Sequence, residues 1–251
     1  MIRKIYNQPF YYEIAFNFVN VKKQIDLFEK FIKKYSKVKV KRVLDVACGP
    51  SLQLRELIRR GYHGTGLDSN LKMLTYLKQK AREEGLSIDT VKANMSHFNI
   101  KKKVDFAFIM MGSFKFKDNR ELLKHLNSVA KSLKKGGLYL IENLELNWPS
   151  TKPQAWVIKK DGVKIKVVYK VTLQNVLSQT FKEEVLLQVD DQGVKQVFSE
   201  NEIIKYIYPQ EFLALLNLNK RFEFIGWFER FKFQKLENAC IDNIVILRKK
   251  R

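Results

Sequence analysis

Histidine and cysteine are scarce in this chain: 3 His and 2 Cys stand among 251 residues. His63, His97 and His125 are scattered, none beside a second residue with metal-ligand spacing, so a catalytic metal is not expected. Cys48 and Cys240 form no disulfide framework and are expected to be reduced thiols. No apolar run approaches the roughly 18 residues of a membrane helix, and Met1 to Phe10 has no apolar signal core. A cytoplasmic protein without a membrane anchor is expected. Acidic residues are also in the minority, 26 against 47 Lys plus Arg, leaving a net charge of +21.

What is present argues for a folded protein. Hydrophobic residues make up 45% of the chain and aromatics 12%, too much apolar surface for disorder. The length suits one domain with an elaboration, or a large and a small lobe. The charge makes nucleic acid, RNA above all, a candidate partner. Yet the cations are spread along the sequence, at Lys22, Lys23, Lys33, Lys34, Lys37, Lys39 and Lys41, at Lys101 to Lys103, at Lys159 and Lys160, and at Arg248 to Arg251. Spread lysines are the pattern of solvated faces, and phosphate recognition favours arginine's bidentate fork.

The most informative stretch runs from Val43 to Ser51. Arg42 to Val46 reads as a buried parallel strand. Ala47, Cys48 and Gly49 leave room for a ligand beside the backbone, and Pro50-Ser51 reads as a helix entry. Strand, small-residue turn and helix place the turn where open parallel sheets bind ligands. A dinucleotide cradle would need Gly-x-Gly-x-x-Gly. This turn has one glycine, Pro50 offers no N–H, and Asp45 sets a carboxylate where phosphates would sit. The turn suits a cation better than an anion. Asp68 follows at the spacing of an acidic residue that reaches ribose hydroxyls.

Around it the chain alternates. Asn20 to Ser36 is a packing helix with Ile25, Phe28, Phe31, Ile32 and Tyr35 on one stripe. Helices are expected over Ser51 to Arg60, Asn70 to Glu84 and Asp118 to Leu133. Strands are expected over Tyr62 to Asp68, Ile88 to Ala93, Val104 to Met111 and Leu138 to Ile141. Alternation of this kind implies a parallel sheet with helices on both faces. From Ala155 to Val197 the pattern becomes antiparallel, with turns at Asp161-Gly162 and Asp190 to Gly193. A helix then runs to Leu218, and Phe222 to Phe233 and Ile241 to Leu247 read as closing strands. The expected divisions are 1–37, a lid and packing helix; 38–147, the ligand-binding core; 148–206, an antiparallel β insertion; and 207–251, the closing elements.

Val43 to Ser51, Gly66 to Leu74, Ala93-Asn94-Met95, Val104 to Phe108 and Lys134 to Gly137 resemble the successive motifs of class I S-adenosylmethionine-dependent methyltransferases. The Tyr11-Tyr12 pair and the insertion with its Tyr206-Ile207-Tyr208-Pro209 segment resemble the small-molecule branch, including the glycine and sarcosine N-methylating group. The resemblance implies an α/β fold: a Rossmann-like, doubly wound, mostly parallel seven-stranded sheet with an antiparallel β insertion after the fifth strand. It implies S-adenosylmethionine as cofactor, S-adenosylhomocysteine as product and no metal. Asp45, Ala47 and Gly49 would hold the methionine moiety, with Cys48 as a small residue packed beneath, and Asp68 with Ser69 the ribose. Asn94 and Met95 would face the adenine; Met73 is either a further adenine contact or a core residue; Met111 would border the reacting centre.

The catalytic residues are not identified, with Tyr11, Tyr12, Tyr206 and Tyr208 as substrate-side candidates. Two departures stand out: the turn ends Gly49-Pro50-Ser51 where the family usually has Gly-x-Gly, and Asn94 replaces the usual Asp, keeping an acceptor but losing the charge. The expected activity is methyl transfer to an N or O nucleophile of a small molecule. An RNA methyltransferase using the basic surface, or a cofactor-binding protein without turnover, are the alternatives. No Asn/Asp-Pro-Pro-Tyr/Phe motif or Pro-Cys pair supports the RNA reading.

Overall fold

The protein is represented by a computed structural model that describes residues 3–237 and 242–250. Cys240, Ile241 and Arg251 lie outside the described residues. In chain order the elements are β1 (Arg3–Lys4), α1 (Pro9–Ala15), α2 (Val21–Tyr35), β2 (Arg42–Val46), α3 (Leu52–Arg59), β3 (His63–Asp68), α4 (Leu71–Glu83) and β4 (Asp89–Lys92). They continue with β5 (Val104–Ile109), α5 (Asn119–Ser132), β6 (Leu133–Glu142), β7 (Gln154–Lys160), β8 (Val163–Asn175), β9 (Thr180–Asp191) and β10 (Val194–Lys205). The last are α6 (Pro209–Asn219), β11 (Phe222–Glu229) and β12 (Asn243–Lys249). Two compact units result: residues 20–147 with 207–251, and residues 1–19 with 148–206.

The larger unit is built on a seven-stranded sheet in the order β11-β12-β6-β5-β2-β3-β4. β2 pairs in parallel with both β3 and β5, while β12 runs antiparallel to β6 and β11. The chain therefore winds one way from β2 through β3 to β4, then returns to lay β5 on the other side. That reversal opens a crevice beyond the carboxyl ends of β2 and β5.

Period-two alternation explains why both faces are covered. Val43, Phe106, Phe108, Leu138, Leu140 and Ile246 pack with Phe28 and Phe31 of α2 and Leu54 and Leu57 of α3. The intervening Leu44, Ala107, Ile109, Tyr139, Ile141 and Val245 pack with Leu122, Leu126 and Val129 of α5 and Phe212 of α6. All six residues of β5 are buried, as expected of a central strand. Helices α2 to α5 start at sequence-encoded caps: Asn20, Ser51, Asn70 and Asp118 each accept a backbone N–H of the first turn.

In the larger unit, two boundaries differ from the sequence expectation by more than two residues. β6 begins at Leu133 rather than Leu138, running through the Gly136-Gly137 pair. A Cβ on Gly137 would lie 2.6 Å from the Asp105 carbonyl oxygen, so glycine permits the close pairing that carries the strand through. β11 ends at Glu229 rather than Phe233, because the chain turns back and the Glu229 N–H donates to the Gln234 carbonyl at 3.0 Å.

His125, scattered in sequence, is fully buried against the sheet. Its Nδ1 lies 2.8 Å from the Met95 carbonyl and its Nε2 2.7 Å from the Tyr139 hydroxyl. A carbonyl only accepts, so Nδ1 carries the proton and Nε2 accepts from Tyr139. Burial lowers its pKa to about 4, against the Met95 hydrogen bond. A depressed base binds its proton less tightly folded than unfolded, so stability falls as pH drops from about 6.5 towards 4. A His125→Leu chain is expected to lose that acid dependence in thermal unfolding, and to lose about 1–3 kcal/mol at neutral pH from the unpaired Tyr139 hydroxyl.

The smaller unit is a five-stranded sheet, β1-β10-β9-β8-β7, antiparallel apart from the β1–β10 pair. Val163, Ile165, Val167, Leu187, Val189 and Phe198 form its core with Ile5, Ile14 and Ala15 from the N-terminal segment. The indole of Trp156 donates to the Ala15 carbonyl at 3.1 Å. Asp161-Gly162 and Gln192-Gly193 take positive φ at the hairpin turns.

Candidate active site

The turn after β2 is shaped by three positive-φ residues, Ala47 at 56°, Gly49 at 50° and Ser51 at 33°. Such backbone is costly for Ala and Ser and persists only where the surroundings hold it. Here they do. The Cys48 N–H donates to the Leu67 carbonyl at 2.9 Å, and the Gly49 N–H donates to Asp68 Oδ2 at 2.8 Å. The Ser51 hydroxyl donates to Asp45 Oδ2 at 2.5 Å and accepts the Leu54 N–H at 3.0 Å. The residue that replaces the second glycine thus caps α3 and anchors the carboxylate of the preceding strand.

Two carboxylates converge on this turn, and the structure brings both together from the ends of adjacent strands. Asp45 is buried. Its burial, with Asp68 adding to it, pushes its carboxyl up to about 8, the Ser51 hydrogen bond working the other way. Burial likewise raises Asp68, opposed by the N–H groups of Asn70, Gly49 and Ser69. Asp68 Oδ1 accepts the Asn70 N–H at 2.8 Å, so this carboxylate both starts α4 and ties it to the β2 turn.

The remaining candidate residues differ in burial and partners. Cys48 is buried beneath the turn, and burial together with Asp45 and Asp68 holds its thiol well above the ordinary range, away from the thiolate a nucleophile requires. A Cβ on Gly66 would meet its Sγ at 2.9 Å, so thiol and glycine are fitted to one another. Ser69 is exposed and Met73 is buried on α4. Asn94 is exposed, its side-chain carbonyl accepting the Ser96 N–H at 2.8 Å, while Met95 is held through His125.

Met111, after β5, has φ 56°. Its N–H donates at 2.6 Å to Glu142 Oε2, the buried carboxylate that ends β6. Glu142 Oε1 accepts from Arg230 Nε at 2.7 Å and from Gln24 Nε2 at 3.4 Å, and Gln53 Nε2 donates to Gln24 Oε1 at 3.0 Å. Sequence reasoning missed this network. The available signal was a charged residue closing the apolar run Leu138 to Ile141, just as Asp45 interrupts β2.

Of the tyrosines expected on the substrate side, Tyr11, Tyr12 and Tyr206 belong to the smaller unit and Tyr208 to the larger. The Tyr11 hydroxyl donates to Asp191 at 2.8 Å, and that of Tyr206 to buried Glu183 at 2.9 Å. Tyr12 packs on Tyr6 and Phe16. Burial, then Glu145, push the Tyr208 phenol up to about 12. Among the described residues, no three His, Cys, Asp or Glu side chains are grouped to hold a metal, and no helix is long and apolar enough to cross a membrane.

The donor set fits S-adenosylmethionine. Two acidic side chains, Asp45 buried and Asp68 half-buried, face a turn poor in free N–H groups, which favours a ligand bearing ammonium and sulfonium charges over one bearing phosphates.

Comparison with known proteins agrees. Residues 43–137 match a methyltransferase domain. A ubiquinone biosynthesis O-methyltransferase from Nitrosococcus oceani is 32% identical over 97 residues, covering 39% of this chain and 38% of the relative. That sequence match thus spans well under half of either protein. In fold the likeness is nearly complete. An S-adenosylmethionine-dependent methyltransferase from Clostridium acetobutylicum superposes with a TM-score of 0.77 at 18% identity, over 96% of each chain. A sugar N-methyltransferase from Streptoalloteichus superposes with a TM-score of 0.77 at 16% identity, over 100% of this chain and 95% of that one. Residues 43–137 thus match a methyltransferase domain, and the chain as a whole has the fold of S-adenosylmethionine-dependent methyltransferases.

Proposed function

We propose that the chain transfers the methyl group of S-adenosylmethionine to an N or O nucleophile of a small molecule in the cytoplasm. The observation that carries this reading is the convergence of Asp45 and Asp68 on the positive-φ turn at the switch point of the sheet. The cofactor supplies a methyl group already activated on a sulfonium. The chain's work is then to bind, orient and exclude water. Asp45 with the Ala47–Gly49 backbone receives the amino-acid end, Asp68 the ribose hydroxyls, and Asn94 with Met95 the adenine. Glu142 fixes the Met111 backbone at the reacting end, so small displacements there carry a large cost in rate.

An amine acceptor is favoured over a hydroxyl. The sugar N-methyltransferase shares the fold over this whole chain, insertion included. The narrower glycine and sarcosine assignment gains no such support. Residues 148–206 are proposed to select the acceptor, with Tyr11, Tyr12, Tyr206 and Tyr208 as the side chains to test.

The reading is tested by incubating the protein with methyl-labelled S-adenosylmethionine and a panel of amino sugars, amino acids and phenols. Transfer of label to an amine, matched by S-adenosylhomocysteine, is expected. Tight cofactor binding without label in any acceptor class would instead favour a binding protein without turnover.

A further inference from the structure

The lysines that look dispersed in sequence are gathered by the topology at one end of the larger sheet. Five adjacent strands each deliver a cation there. Lys41 precedes β2, Lys103 precedes β5, Lys134 and Lys135 lie at the start of β6, Arg221 precedes β11, and β12, running the other way, ends at Lys249. The Lys250 N–H donates to the Arg221 carbonyl at 2.9 Å, and the Lys37 N–H to the Gly136 carbonyl at 2.9 Å, drawing two further cations to the same end.

Compensating charge is sparse. Asp105 is buried, accepting from Lys134 Nζ at 2.7 Å and from the N–H groups of Lys41 and Arg42. Glu223 pairs with Arg248 at 2.7 Å. Burial and then the cations Arg221, Lys103 and Lys135 lower the Lys249 ammonium, a sign of unrelieved repulsion. Lys103, Lys135 and Arg221 are exposed.

We infer that this end of the sheet is a docking surface for the phosphate backbone of a nucleic-acid duplex, which tethers the protein and is not its methyl acceptor. Strands lie about 4.8 Å apart, so five strand ends make a cationic row about 20 Å long. A duplex presents one phosphate charge per about 1.7 Å of axis, denser than any isolated anion. Among the described residues, none of the exposed aromatic rings, Tyr6, Phe10, Phe18, Trp148, Phe231 and Phe233, belongs to these strand ends, so contact is with phosphates and insensitive to sequence. The strand starts are separated from the Asp45 turn by the length of β2, roughly 17 Å for its five residues. A nucleic acid lying along the row leaves the methyl-transfer end free.

The inference is tested by fluorescence anisotropy of a labelled 20-base-pair RNA duplex, long enough to overhang the row at both ends, with a matched DNA duplex, between about 50 and about 200 mM salt. A log–log salt slope near −4 is expected for about four neutralised phosphates. The triple variant Lys103→Gln, Lys135→Gln, Lys249→Gln is expected to lose affinity about tenfold or more and to flatten the slope by up to about 3. Its S-adenosylmethionine affinity, which reports the fold, should be unchanged. A control variant, Lys159→Gln, Lys160→Gln, Lys164→Gln, removes equal charge from the exposed β7–β8 hairpin and should bind duplex almost as the parent does. Equal losses in the two variants would reduce the effect to net charge and overturn the inference. So would competition between duplex and cofactor, methyl label in the duplex, or binding to anionic phosphatidylglycerol vesicles in place of either duplex.

Discussion

Asp68→Ala is expected to weaken S-adenosylmethionine binding about 100-fold or more while leaving the seven-stranded sheet intact. The change removes two things together. It takes away a charged acceptor for ribose hydroxyls, and charged hydrogen bonds are worth about 1.5–3 kcal/mol each. It also frees the Gly49 and Asn70 N–H groups, which Asp68 holds at 2.8 Å each. The β2 turn and the start of α4 then lose their common anchor, so part of the effect is loss of a preorganised turn. Titration calorimetry on wild type and variant checks the affinity, and circular dichroism checks the fold. An affinity within threefold of wild type would remove Asp68 from the site.

Asp45→Asn is expected to do two opposite things: raise stability and weaken cofactor binding. In the folded chain the Asp45 carboxyl titrates at about 8 because it is buried and faces Asp68, with Tyr139 and Cys48 also within its field. Its unfolded value is near 3.9. Between these values the folded state holds a proton that the unfolded state has lost, so this group's contribution to stability is complete below about pH 4 and is lost as pH rises towards 8. Asparagine is neutral throughout, keeps the shape and still accepts the Ser51 hydroxyl. The variant should therefore melt higher at pH 8, on the order of 5 °C, and by less at pH 5. Cationic cofactor favours the ionised carboxylate, so wild-type affinity should rise as pH approaches 8. The substitution removes that response, giving a loss of about tenfold or more at pH 8 that shrinks towards pH 6. A variant that melts no higher at pH 8, or a wild-type affinity that is flat with pH, would contradict this account of Asp45.

What the sequence reveals here follows from distance along the chain. The β2 strand, its small-residue turn, the helix entry at Ser51 and the acidic residue closing β3 are local signals, and each lies within a few residues of the feature that encodes it. The period-two burial that splits Val43 and Phe106 from Leu44 and Ala107 is equally local. Contacts between distant segments are not legible in this way. Glu142 holds the Met111 N–H from 31 positions away and meets Arg230 88 positions away. His125 reaches Met95 across 30 positions. Ser51, which departs from Gly-x-Gly, reads in sequence as part of a helix entry; in three dimensions its hydroxyl also supplies the bond to Asp45. The dispersed lysines of the sequence become a row only once five strands are set side by side.

The most direct test of the central claim is calorimetric titration of S-adenosylmethionine and S-adenosylhomocysteine into the wild-type protein, with NAD as control. Micromolar binding of both, with no heat from NAD, is the result expected of the Asp45–Asp68 turn. A folded protein that binds neither sulfur ligand, or that binds NAD in their place, would contradict it.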